Sequence, residues 1–63
     1  MKLKMMLNGD LKVITKKGNI YIAVDLHDGS YNIWDEQQQE IVMRTDTVQD
    51  FFEVIYYREY SLN

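Results

Sequence analysis

Residues 46–60 read DTVQDFFEVIYYREY, and their apolar residues recur with the period of an α-helix, about 3.6 residues per turn. The positions i, i+3, i+4 and i+7 of one apolar stripe are Val48, Phe51, Phe52 and Ile55. Asp46 and Gln49 have the spacing of a capping box, with Asp46 at the N-cap, so we expect a helix from about Thr47 to Tyr60. The stripe must be buried, and the rest of the chain offers only a sheet to cover it.

The sequence before this segment contains five short runs in which apolar and polar residues alternate, as they do in β-strands. The clearest run is residues 20–26, IYIAVDL, whose apolar face consists of Ile20, Ile22, Val24 and Leu26. Turn-forming residues separate the runs, and Asp28-Gly29 favours a two-residue hairpin turn. Because the connections are short, consecutive strands are expected to be antiparallel neighbours.

These patterns predict a single α+β domain over residues 1–63, with a five-stranded antiparallel meander and one C-terminal amphipathic helix packed on it. Whether the sheet stays open and curved or closes into a small barrel is left open by the sequence. The face with Ile22 and Val24 is expected to receive the apolar stripe of the helix. Glu59 falls within that stripe, so the helix is expected to leave the core before its last turn.

Composition excludes several classes of site. The 63 residues contain no Cys and one His, which rules out disulfides, cysteine-based zinc sites and thiol nucleophiles. Asp25, His27 and Asp28 offer three metal-ligating groups, but their spacing matches no metal motif, and a plain β-turn is the preferred interpretation. No nucleophile stands at a spacing from His27 that predicts general-base catalysis. The three glycines are too scattered to form a phosphate-binding loop. We therefore predict a non-enzymatic protein with no catalytic residue, cofactor or metal.

The helix carries residues that folding does not explain. Val54 and Tyr57 lie on the side opposite to the apolar stripe, and Tyr56 and Tyr60 lie on its flank. Tyrosine suits interfaces because it combines an apolar ring with a hydrogen-bonding hydroxyl. We therefore predict a protein interface formed by Asp50, Glu53, Val54, Tyr57 and Tyr60. The alternatives are ordinary exposed apolar residues, or a curved sheet that covers both sides of the helix.

Charge is distributed unevenly along the chain. Residues 1–18 carry five lysines and one aspartate, whereas residues 19–63 carry two arginines and nine carboxylates. The alternative to a protein interface is therefore a nucleic-acid site formed by Lys2, Lys4, Lys12, Lys16, Lys17 and Trp34. Lysines also protect edge strands from pairing with other chains, and the acidic net charge of −3 argues against nucleic acid.

The function predicted from these features is regulation or inhibition by protein–protein contact, with a partner that is itself basic or binds nucleic acid. A homo-oligomer is a further possibility, because a chain this short gains stability from association. One Ala, three Gly and no Pro suggest an AT-rich genome, as in low-GC bacteria and their phages. The sequence shows no export signal and no membrane-spanning run, so we expect the cytoplasm, or the host cytoplasm if a phage encodes it.

Overall fold

The computed structural model describes residues 2–60, which form one antiparallel sheet and one helix. The elements are β1 (Lys2–Met5), β2 (Leu11–Ile14), β3 (Ile20–Asp25), β4 (Tyr31–Asp35), β5 (Glu40–Thr45) and α1 (Val48–Tyr60). The strands lie side by side in chain order, and each pairs antiparallel with the next. The predicted α+β meander is confirmed, and the sheet is open rather than closed into a barrel.

The connection between β3 and β4 is longer than the sequence predicts. The backbone N–H of Leu26 donates to the carbonyl of Ser30 at 3.0 Å. His27 and Gly29, between them, both have positive φ, at 61° and 90°. The prediction of a two-residue turn centred on Asp28-Gly29 was therefore wrong, because Asp28 instead accepts hydrogen bonds from the N–H and the hydroxyl of Ser30.

The helix packs on the face of the sheet opposite to the predicted one. The buried apolar residues are Leu11, Val13, Tyr21, Ala23, Ile33, Phe51 and Ile55. In β3 the buried residues are thus Tyr21 and Ala23, whereas Ile22 and Val24 are half-buried on the other face. The prediction that Ile20, Ile22, Val24 and Leu26 receive the helix was wrong.

The pairing of all five strands explains which face is buried. Val13 is paired with Tyr21, and Ala23 is paired with both Leu11 and Ile33, so these residues share one face. The other face includes Lys2, Lys4, Lys12, Asn32 and Arg44 from the neighbouring strands. Covering that face with the helix would have removed four cationic side chains from water, which is costly without partners. The alternation in β3 alone does not contain this information.

The N-terminus of α1 is capped one residue later than predicted. Thr47 is the N-cap, because its Oγ1 accepts a hydrogen bond from the N–H of Asp50 at 3.2 Å. The carboxylate of Asp50 accepts from the Thr45 hydroxyl at 2.7 Å, which joins the helix to the end of β5. The predicted capping box of Asp46 and Gln49 was wrong, since Gln49 points along the helix and donates to Glu53.

The buried stripe of α1 is also rotated from the predicted one. Its residues are Phe51, Ile55 and Glu59, while Phe52 is half-buried and Val48 is exposed. The helix therefore does not leave the core before its last turn. Val54 is half-buried and packs against the core, so it does not lie on the outer side of the helix as predicted.

Candidate functional site

The last turn of α1 is held to the sheet by a buried carboxylate. Glu59 is 4% exposed, and its Oε2 accepts hydrogen bonds from Asn19 Nδ2 at 2.6 Å and from the Tyr21 hydroxyl at 3.2 Å. Lys17 donates from its ammonium to the backbone carbonyl of Glu59. The turn between β2 and β3 thus surrounds the end of the helix with donors, which explains how an acidic residue can occupy a buried position.

The pKa values follow from these contacts. Burial opposes ionisation of Glu59, but hydrogen bonds from Thr15, Asn19 and Tyr21, together with the charge of Lys17, lower the pKa of Glu59 below its ordinary value of 4.5. Burial and the nearby negative charges raise the pKa of Tyr21 above 10.0. At neutral pH, Glu59 is therefore ionised and Tyr21 is protonated, as their hydrogen bond requires.

An ion pair formed by the neighbouring helix residue, Arg58, joins α1 to β4. Arg58 donates from Nε to Oδ2 of Asp35 at 3.1 Å, and its Nη2 lies 2.9 Å from the same oxygen. Asp35 is 2% exposed, and its other oxygen accepts from the backbone N–H groups of Gln37 and Gln38 at 2.9 and 3.0 Å. Arg58 and Glu59 are both occupied within the fold, so the outer side of the helix carries the candidate interaction residues.

That outer side is rich in aromatic residues. We call it the tyrosine surface, and its residues are Phe52, Glu53, Tyr56, Tyr57 and Tyr60. The exposed fractions of the three tyrosines are 65% for Tyr56, 69% for Tyr57 and 54% for Tyr60. The rings of Tyr56 and Tyr60 lie 5.0 Å apart, and the ammonium of Lys17 lies 5.5 Å from the centre of the Tyr60 ring.

Two grooves border the tyrosine surface, and Tyr57 and Glu53 line both. The larger groove, of about 1040 Å³, lies towards the turn between β2 and β3 and is lined by Phe52 and all three tyrosines. The smaller groove, of about 420 Å³, lies towards β5 and includes Val54. The larger groove is mainly apolar, whereas the smaller one combines apolar side chains with Asp50, Glu53 and Arg58. Two concave sites separated by one exposed ring are a shape that can hold side chains of another protein.

The structure therefore groups part of the predicted interface. Glu53, Tyr57 and Tyr60 lie together on the exposed side of α1. Val54 packs inward, and Asp50 is half-buried with its carboxylate bonded to Thr45. Tyr56 and Phe52 were missed. The signal for Tyr56 was its position four residues before Tyr60, which places both tyrosines on the same side of the helix.

The residues predicted to bind nucleic acid are divided between two places. Lys2, Lys4, Lys12 and Trp34 lie on the uncovered face of the sheet, according to the strand pairing. Lys16 and Lys17 lie in the turn between β2 and β3, where Lys17 contacts the end of α1. We call the uncovered face the open sheet face, and its strand residues are Lys2, Lys4, Lys12, Ile14, Ile20, Ile22, Val24, Asn32, Trp34, Ile41 and Arg44.

The potential metal ligands at the end of β3 are engaged elsewhere. Asp28 pairs with Arg44 at 3.0 Å, and Asp25 accepts from the backbone N–H of His27 at 2.8 Å. Hydrogen bonds from Ser30 lower the pKa of Asp28. Within residues 2–60, no three groups of the ligand-forming types are arranged to hold a metal ion.

The same range contains no helix with the length and apolar character needed to cross a bilayer. Comparison with models of protein families, with curated protein sequences and with solved structures found no match.

Proposed function

We propose that this chain is a small non-enzymatic binding module that regulates or inhibits another protein by contact through its tyrosine surface. The observation that carries the proposal is the strip of three exposed tyrosines on α1, with a groove on each side of Tyr57. Aromatic residues that fill or flank pockets supply most of the binding energy in many interfaces. The core of the domain uses Phe51 and Ile55 and does not need these rings.

The arrangement of the side chains also favours binding. Tyr56 packs against Tyr60, and Tyr60 lies beneath the Lys17 ammonium. Lys17 is itself held by the carbonyl of Glu59. Side chains that are ordered before binding lose less conformational entropy when a partner arrives, so each contact contributes more to affinity.

Charge indicates what kind of segment the partner presents. Glu53 lines both grooves, and Asp46 and Asp50 lie at the N-terminal end of the same helix. Lys16 lines the larger groove near the C-terminal end. The partner that fits is an apolar segment with Lys or Arg beside Glu53, as on the surface of a basic or nucleic-acid-binding protein.

The biological setting belongs to the same proposal. A chain with no cysteine, whose composition is poor in Ala, Gly and Pro, suits a phage or mobile-element product that acts in the bacterial cytoplasm. Occupying the basic surface of a nucleic-acid-binding protein would be enough to inhibit it, and no chemical step is needed.

Quantitative co-purification from the source cell tests the proposal. A tagged wild type is compared at low salt with Tyr57→Ser plus Tyr60→Ser, and with His27→Ser as a control in the exposed β3–β4 loop. We expect one protein to be enriched by the wild type and by His27→Ser, and to fall at least about tenfold with the tyrosine variant. Equal recovery with all three baits, or no protein enriched above the empty tag, would overturn the proposal.

A further inference from the structure

The open sheet face is apolar at its centre, and nothing in residues 2–60 covers it. The helix lies on the opposite face. The apolar side chains on the open sheet face are exposed at Ile14 and Ile41 and half-buried at the four other positions, Ile20, Ile22, Val24 and Trp34. Ile41, which lies in the edge strand β5, is 55% exposed. An apolar patch that is rimmed by charged side chains is typical of a protein–protein contact surface.

The central row of side chains on this face is self-complementary, because its two halves can pair with each other when a second copy is turned over. Strand pairing places five residues side by side from β1 to β5, in the order Lys4, Lys12, Ile22, Trp34 and Ile41. Cationic side chains occupy one half of the row, and an aromatic and an aliphatic side chain occupy the other. Ile22, on the middle strand, separates the two halves.

We propose that a second copy of this chain covers the open sheet face, related to the first by a twofold axis that runs along β3 between the two sheets. This rotation places β2 over β4 of the second copy, and β1 over its β5. Ile22 then meets Ile22 of the second copy, and Lys12 lies over the indole of Trp34. A cation over an indole ring is attracted to it, and the symmetry forms this contact twice.

The outer positions of the row agree with the same axis. Lys4 lies over Ile41 of the second copy, where its aliphatic stem covers the isoleucine while its ammonium reaches solvent. A twofold axis along the central row, perpendicular to the strands, would instead place each strand over its own copy, so that Lys4 faces Lys4 and Lys12 faces Lys12. Like charges in apposition are unfavourable, so the charge pattern selects the axis along β3.

Glu36 adds a complementary charge and argues against nucleic acid on this face. Its Oε1 accepts from the Trp34 indole N–H at 2.8 Å, and its backbone N–H donates to the carbonyl of Ile20. The carboxylate therefore lies beside the indole, on the β4 side of the face. Lys2 of the second copy approaches that side in the proposed dimer, whereas a phosphate stacked near Trp34 would be repelled.

The dimer leaves the tyrosine surface free. Each helix lies on the outer side of its sheet, so the two tyrosine surfaces point away from each other and remain exposed. The inference does not depend on the function proposed above, and each can fail without the other. Five strands about 4.8 Å apart make the face roughly 24 Å wide, which is small for an interface, so we expect dissociation in the micromolar range.

Trp34 is the only tryptophan, so its fluorescence reports on this face alone. Sedimentation velocity and tryptophan emission are measured on the same samples from about 1 to 200 µM. We expect the sedimentation coefficient to rise from monomer to dimer while the Trp34 emission shifts to shorter wavelength with the same midpoint, as the indole leaves water. A monomer at every concentration, or a dimer whose formation leaves Trp34 emission unchanged, would overturn the proposal.

Two lysine variants with the same change in charge give the matched comparison. Lys12→Glu removes the cation from the interface, whereas Lys16→Glu changes a turn residue that lies outside the open sheet face. We expect Lys12→Glu to raise the dissociation constant at least about tenfold, because the substitution enters the interface twice, and Lys16→Glu to change it less than about threefold. Equal effects of the two variants would contradict the proposed pairing.

Ile22→Lys places two ammonium groups on the axis and should abolish the dimer, with the circular dichroism spectrum showing that the monomer remains folded. If this variant does not fold, Ile41→Lys, at an exposed edge position, takes its place with the same expectation.

Short single-stranded DNA is added as a last arm. If DNA quenches Trp34 fluorescence in a salt-dependent way and the protein forms no dimer without DNA, nucleic acid and not a second copy covers the open sheet face.

Discussion

Asn19 Nδ2 lies 2.6 Å from Glu59 Oε2, so the turn between β2 and β3 is bonded directly to the last turn of α1. This contact holds the C-terminal half of the helix on the sheet, and with it the position of Tyr56 and Tyr60. A buried acidic residue thus determines where the exposed aromatic residues stand.

The stability of the domain should decrease in acid through Glu59. Its pKa is lowered in the folded state, so its stabilising effect is complete above the ordinary value of 4.5 and is lost as the pH falls through the folded-state pKa. Urea unfolding of the wild type and of Glu59→Gln between about pH 7 and pH 3 tests this. The wild type should be more stable at pH 7, and the difference should shrink in acid. A difference that does not change with pH would show that the charge of Glu59 is not stabilising.

Neighbouring residues on β2 test which face of the sheet is buried. Val13 is fully buried, whereas Ile14 is 37% exposed on the open sheet face. Val13→Ala should lower the free energy of unfolding by about 2 kcal/mol, and Ile14→Ala by less than about 1 kcal/mol, at a protein concentration where the chain is monomeric. Chemical denaturation measures both. The reverse order would mean that the helix packs on the face with Ile22.

The ion pair between Arg58 and Asp35 should be more important than an ordinary surface pair. Arg58→Met leaves the Asp35 carboxylate buried without its cation, so we expect a loss of about 2–4 kcal/mol in the free energy of unfolding. Adding Asp35→Asn should recover part of that loss, because the remaining buried group is then neutral. If Asp35→Asn destabilises the Arg58→Met variant as much as it destabilises the wild type, the two residues are not coupled.

The N-cap of α1 gives a sharp comparison between adjacent residues. Thr47→Ala removes the acceptor for the N–H of Asp50 and should cost about 1 kcal/mol in the free energy of unfolding. Asp46→Ala removes an exposed residue before the cap and should cost less than about 0.5 kcal/mol. If Asp46→Ala costs more than Thr47→Ala, the helix begins where the sequence alone places it.

The architecture could be predicted from the sequence because turns and periodicity are local properties. The alternating runs and the turn-forming residues between them specify five strands, and the periodic segment with Phe51 and Ile55 specifies the helix. The buried face could not be predicted from β3 alone, because Ile20, Ile22 and Val24 are more hydrophobic than Tyr21 and Ala23. It depends on the neighbouring strands, whose pairing puts Lys12 on the same face as Ile22.

The site was predicted only in part for a related reason. Glu59 reads as a solvent-exposed residue until Asn19 and Tyr21, about 40 residues earlier in the chain, are brought next to it. Accepting Glu59 as buried rotates the helix, which moves Val54 inward and moves Tyr56 and Tyr60 together from the flank to the exposed side. Long-range polar contacts of this kind leave no periodic signal in the sequence.

Site-specific photo-crosslinking in the source cell is the most direct test of binding through the tyrosine surface. A benzophenone amino acid replaces Tyr57 in one variant and His27, which lies in the β3–β4 loop, in another. Binding through the tyrosine surface predicts a crosslink from position 57 to one protein, competed by the untagged wild type, and no crosslink to that protein from position 27. The same crosslinks from both positions, or none from position 57, would contradict it.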